Sequence, residues 1–138
     1  MAAYVWDYAG EMQMLRRFWD AATRVDPALT VDEGHRYPIC APAPLRALFV
    51  DAGLHDVDVE AIQIDTVFAD FSDYWKRFDG GTGPAPAYLR QRPPRQRAAL
   101  ETELRRTLPV EPDGSIHLTA RAWAVRGRRE TGIAAFAS

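Results

Sequence analysis

Residues 42–62, "PAPLRALFVDAGLHDVDVEAI", decide how the chain is read, because a helix, its stop and a strand follow one another there without a gap. Proline suits the first helical turn, so a helix is expected to start near Pro44, with Leu45, Leu48, Phe49 and Ala52 as its apolar face. Gly53 stands where a left-handed C-cap belongs, and Leu54 follows as its apolar contact. The next segment, "HDVDVEAIQIDTVF" (55–68), alternates strictly at first: Val57, Val59 and Ala61 on one face, Asp56, Asp58 and Glu60 on the other. At Ala61-Ile62 the phase changes and Ile62, Ile64 and Phe68 take over, which predicts a bulge or bend at that point.

Toward the N-terminus, "AAYVWD" (2–7) is aromatic and β-branched and reads as a strand. From Gly10 the period becomes helical. Met12, Leu15, Phe18, Trp19 and Ala22 share one face, while Gln13, Arg16, Arg17, Asp20 and Arg24 form a solvated one. Asp26-Pro27 stops this helix, and residues 27–41 read as an irregular connection.

Toward the C-terminus, Ser72 is the expected N-cap of a short aromatic helix, "DYWKRF" (73–78). "DGGTGPAP" (79–86) reads as a loop, with Pro84 and Pro86 barring a helix directly behind it. A helix over 94–108 turns Leu100, Leu104 and Leu108 inward and pairs Glu101 with Arg105 one turn on. Asp113-Gly114 then turns into a last strand, "SIHLTARAWAV" (115–125). Residues 1–128 are expected to form one domain, with 129–138 as a loose tail.

Composition limits the function classes. The chain has 138 residues, 47% of them hydrophobic, enough for one cored domain, and a net charge of −2 gives no sign of nucleic-acid or anionic-membrane binding. Cys40 is the only cysteine, no apolar run is long enough to span a bilayer, and the first residues lack a signal-peptide pattern. A soluble cytoplasmic protein is expected. His35, His55 and His117 lie far apart with no ligand spacing, so no metal site is expected, and no serine sits in a nucleophile-elbow pattern.

In this order, the elements resemble the C-terminal part of a class I S-adenosylmethionine-dependent methyltransferase. Residues 42–62 look like the helix, glycine cap and sixth strand that recur in that superfamily. "YVWDYAGEMQMLRRFWDAA" (4–22), "GGTGPAPAYL" (80–89) and "DGSIHLTARAWAVRGR" (113–128) look like one bacterial subgroup of small-molecule-type methyltransferases. The resemblance covers residues 2–128. It implies an α/β, partial Rossmann-like fold: a three-stranded, mainly antiparallel sheet packed with about four helices. The spatial order would be 2–7, 116–126, 56–66, with the last strand between the others and antiparallel to both.

In the family, the strand resembling residues 2–7 is the fifth of seven. The earlier part carries a glycine-rich loop that holds the methionine portion of the cofactor and an acidic residue for its ribose. No strand here is followed by such a loop, and "DGGTG" (79–83) follows an aromatic helix, which suits a lid. The resemblance therefore implies a truncated homologue that keeps substrate-side and lid elements. Alone, it would neither bind S-adenosylmethionine nor transfer a methyl group. The other reading is a non-catalytic module that binds a small apolar ligand or a partner chain.

Site candidates follow from these positions. Asp7 ends the first strand on the side where open α/β sheets bind ligands, flanked by Trp6 and Tyr8 and followed by Met12. Either Trp6 and Met12 are core and Asp7 caps the next helix, or the group walls a substrate pocket in which Asp7 or Tyr8 orients a polar acceptor. By resemblance, Trp75, Phe78 and Tyr88 would form an apolar lid that excludes water. A strand edge at residues 2–7 without its family neighbour, and a following helix with Phe18 and Trp19 uncovered, imply a homodimer or a complex with a cofactor-binding half through residues 2–25.

Overall fold

The computed structural model describes residues 1–130, so most of the tail expected at 129–138 lies outside the described residues. In chain order the elements are β1 (Ala2–Trp6), α1 (Gln13–Val25), α2 (Glu33–Arg36), α3 (Pro42–Asp51), β2 (His55–Phe68), α4 (Phe71–Trp75), α5 (Pro84–Arg90), α6 (Pro94–Thr107) and β3 (Ile116–Arg128). The fold is mixed α/β. β3 lies between β1 and β2 and is antiparallel to both, as the order 2–7, 116–126, 56–66 requires.

Six helices accompany the sheet among the described residues, against an expectation of about four. The additional two are short. α2 occupies part of the segment read as irregular, and α5 begins at Pro84, against the expectation that proline bars a helix there. Pro84 and Pro86 stand in the first turn, whose N–H groups have no intrahelical acceptor to lose, so both are tolerated. α4 is capped by Asp70, not Ser72: its carboxylate accepts from the Asp73 N–H at 2.8 Å, while Asp73 accepts from the Ala69 N–H at 3.0 Å.

The stop of α3 follows its sequence. Gly53 has φ +82°, its N–H donates to the Val50 carbonyl, and the Leu54 N–H donates back to the Phe49 carbonyl at 3.2 Å. Leu54 packs beside Leu45, Phe49 and Val125. The helix begins at Pro42, two residues before Pro44, and its buried stripe is only Leu45 and Phe49. Leu48 is exposed, contrary to expectation, because a single i, i+4 row meets the sheet.

Directly paired residues of an antiparallel sheet point to the same side. The register Tyr4↔Ala124, Trp6↔Ala122, Ile62↔Ala122, Ile64↔Ala120 and Phe68↔Ile116 therefore defines one face. Val5, Trp123, Val125 and Val59 lie on the other, under α3. On the first face, Phe68, Ile116 and Leu118 join the large core formed with α1, α4, α5 and α6. The two helical layers thus cover opposite faces at opposite ends of the sheet.

This arrangement explains the phase change in β2. Pairing from Asp58 to Phe68 is continuous, and the only irregularity lies between His55 and Asp58, where Asp56 has φ +52°. The backbone does not slip at Ala61-Ile62; the covered face changes. Ile62 and Ile64 fall where neither layer reaches, and with Tyr4 and Trp6 they form an exposed apolar strip.

In α1, Phe18, Trp19, Ala21 and Ala22 are buried. Phe18 and Trp19 are completely covered, which corrects the expectation that they are exposed for a partner. Phe18 stacks on Phe78 at 4.5 Å between ring centres, Trp19 meets Tyr88 edge-on, and Leu100, Leu104 and Leu108 of the α6 segment complete the core. The chain's own α5 and α6 supply the covering surface. The Glu101–Arg105 pair is present at 3.2 Å. No helix of the described residues is long and apolar enough to cross a membrane.

Candidate functional site

The carboxyl end of β1 leads into a tight turn organised by Asp7. Its backbone carbonyl accepts from the N–H groups of Gly10 and Met12, and its carboxylate accepts from the Glu11 N–H at 2.8 Å. The Arg121 guanidinium of β3 binds the same carboxylate through Nε at 2.8 Å and Nη2 at 2.6 Å, while lying over the Trp123 ring. A Cβ on Gly10 would stand 2.5 Å from the Asp7 carboxylate, so glycine is required by close approach. Asp7 is buried and fully engaged in tying β1 to β3 and shaping the turn. It does not cap α1, whose N-cap position is Met12, and it does not line the cavity beside Tyr8.

Tyr8 leaves this turn toward a cavity of about 280 Å³, bounded by Met14 and Leu15 of α1, Glu33 of α2, Phe78, and the Thr82–Pro86 segment that opens α5. The volume suits a small molecule of about one ring and lies just below the usual ~300–1,000 Å³ for ligand pockets. Tyr8 also packs its ring against Tyr37 at 6.0 Å. Burial raises the Tyr8 phenol above its ordinary value, and the nearby Glu33 charge adds to this, so the hydroxyl stays a neutral donor.

Of the candidates Trp6, Asp7, Tyr8, Met12, Trp75, Phe78 and Tyr88, the structure brings only Tyr8 and Phe78 together at this cavity. Trp6 lies on the exposed strip, edge-on to Tyr4. Met12 starts α1, and Trp75 stacks on Phe71 at the outer side of the core. Tyr88 is core: its hydroxyl donates to Asp26 at 3.3 Å, and Arg92 lies over its ring. The aromatic segment 73–88 therefore acts as a packed wall, with Thr82 and Gly83, the end of the glycine-containing loop, at its margin.

The sequence gives little sign of Glu33. It sits in a helix of four residues within an apparently irregular segment, and its burial depends on Trp19, whose indole N–H donates to Oε2 at 3.0 Å. Burial pushes the carboxyl above its ordinary value; the indole bond opposes this, the neighbouring Asp32 charge reinforces it, and the Arg36 charge opposes it. Arg16, expected on a solvated face, is mostly buried. It forms an ion pair with Asp32, bonds Asp20 at 2.9 Å, and donates to the Tyr8 carbonyl at 3.1 Å. These bonds clamp α2 against the β1 turn and hold Glu33 beside Tyr8.

No protein-family model matches the chain, and no curated protein matches it. Two glycine-bearing turns of the described residues differ from the cofactor loop that the family resemblance implies. The turn after β1 has the single Gly10, whose missing Cβ admits the Asp7 carboxylate and opens no cradle. In the glycine cluster, Gly81 is pressed against the Arg77 carbonyl, and no strand precedes the loop to aim its N–H groups at a ligand.

Proposed function

We propose that the chain is the substrate-side portion of a cytoplasmic class I S-adenosylmethionine-dependent methyltransferase, binding no cofactor and transferring no methyl group alone. One observation carries this reading: β3 lies antiparallel between β1 and β2, with a ligand-sized cavity at the carboxyl end of β1. A sheet that ends in a reversed inner strand is the arrangement the family resemblance implies. Within it, Tyr8 and Glu33 orient the polar group of an acceptor, while Phe78, Leu15 and the start of α5 keep water from its apolar part. The β1 edge, which carries no charge, pairs with a strand of another polypeptide.

Calorimetric titration of the purified 138-residue chain with S-adenosylmethionine tests the reading. No binding is expected at micromolar concentration; a micromolar dissociation constant would overturn it. A second reading is a ligand-binding module without catalysis. It is favoured by a cavity that brings Tyr8 and Glu33 together with apolar residues, an arrangement that needs no reacting group to hold a ligand.

A further inference from the structure

Three acidic side chains are buried among the described residues: Asp7, Asp32 and Glu33. Burying a carboxylate is costly unless a cation or several donors replace its water. Asp7 has Arg121 and the Glu11 N–H. Asp32 has Arg16, and the Gly34 N–H at 2.8 Å. Glu33, with 5% of its surface exposed, differs from both. Its one side-chain hydrogen bond among the described residues comes from the neutral Trp19 indole to Oε2. Among the described residues Oε1 receives no hydrogen-bond donor and is not sealed from solvent, and no arginine, lysine or histidine forms an ion pair with Glu33. It is also the acid that borders the Tyr8 cavity.

We infer that this cavity binds a small apolar amine, whose ammonium group pairs with Glu33 while its hydrocarbon body lies against Leu15, Met14 and Phe78. The ligand supplies at contact distance the cation that the fold gives to Asp7 and Asp32; toward Glu33 the fold offers only the charge of Arg36, which lies too far for an ion pair. The surroundings agree. Met14, Leu15, Phe78, Ala85 and two prolines line the same cavity as the carboxylate. Arg77, the cation on the cavity wall, is engaged with Asp73 at 3.4 Å and has a largely exposed side chain. Tyr8 also borders the cavity. Burial disfavours a lone charge on Glu33, and an ammonium group placed beside the carboxylate offsets that penalty.

The amine class rests on the reading of the cavity as an acceptor pocket, and the probes are chosen to separate the two. Phenethylamine and 2-phenylethanol have the same body and differ in the charged group. Calorimetry should give tighter binding of the amine than of the alcohol by about tenfold or more, and Glu33→Gln should abolish that preference. In nitrogen-15 spectra, the amine should move one of the four tryptophan indole resonances, that of Trp19, whose N–H shares the carboxylate. Thr82→Trp, at an exposed position on the cavity margin, should block both probes if the Gln variant does not fold. Equal affinity for amine and alcohol, unchanged amine affinity in folded Glu33→Gln, binding that survives Thr82→Trp, or no saturation by about 10 mM each overturns the inference. Micromolar S-adenosylmethionine binding removes the half-fold reading and leaves an amine preference standing. A chain that ignores the cofactor and does not distinguish the probes loses only the amine.

Discussion

Glu33 has a measurable consequence for stability as well as for binding. Its folded-state value is raised above the ordinary 4.5, chiefly by burial. A folded state that holds its proton more tightly than the unfolded chain is favoured where that proton is present. The contribution is therefore complete below about pH 4.5 and is lost as pH rises through the folded-state value. Glu33→Gln removes this dependence, since glutamine can accept the same indole hydrogen bond without ionising. Urea denaturation at a series of pH values between 4.5 and 7 should show the Gln variant gaining on the parent as pH rises. Parallel curves for the two proteins would mean that Glu33 is no more strained by burial than an exposed glutamate. Asp7 is a useful contrast, because its buried carboxylate already has Arg121 within 2.6 Å.

At the scale of elements, the end of α3 offers the cleanest substitution. Gly53 has φ +82° with nothing within 4 Å of an added Cβ, so Gly53→Ala introduces backbone strain and no clash. A cost of about 1–2 kcal/mol is expected, read as a lower denaturation midpoint at unchanged m-value. No loss would show that the Leu54 turn relaxes without its left-handed residue. This cap was legible in the sequence because it depends on one residue type at one position. The inward leucines of α6 and the limits of β2 were legible for a similar reason, since their periods are local. Other features depended on partners distant in the chain. Arg16 has a helical spacing that reads as solvated, yet Asp32 arrives over it sixteen positions later. The apparent slip at Ala61-Ile62 required knowing that α3 and the large core cover different faces. Glu33 carried no signal until Trp19 and Tyr8 were placed beside it.

For the whole molecule, the two sheet edges differ in kind. β2 carries Asp56, Asp58, Glu60 and Asp65, charges that discourage another strand, whereas Ala2–Trp6 carries none. The strip of Tyr4, Trp6, Ile62 and Ile64 lies on the sheet face beside that uncharged edge. With Phe18 and Trp19 covered, association through residues 2–25 reduces to β1 and this strip. The purified chain should therefore form a dimer by size exclusion with light scattering at tens of micromolar, and Val5→Pro should dissociate it by removing a ladder donor. A 15.5 kDa monomer would sink the assembly, and a dimer that survives Val5→Pro would move the contact away from this edge. The exchange of covered faces along the sheet also bears on heredity. A one-residue insertion in β3 between Ala120 and Trp123 would turn every later side chain over, taking Val125 out from beneath α3. The length of β3 must therefore pass unchanged from one descendant of this chain to the next.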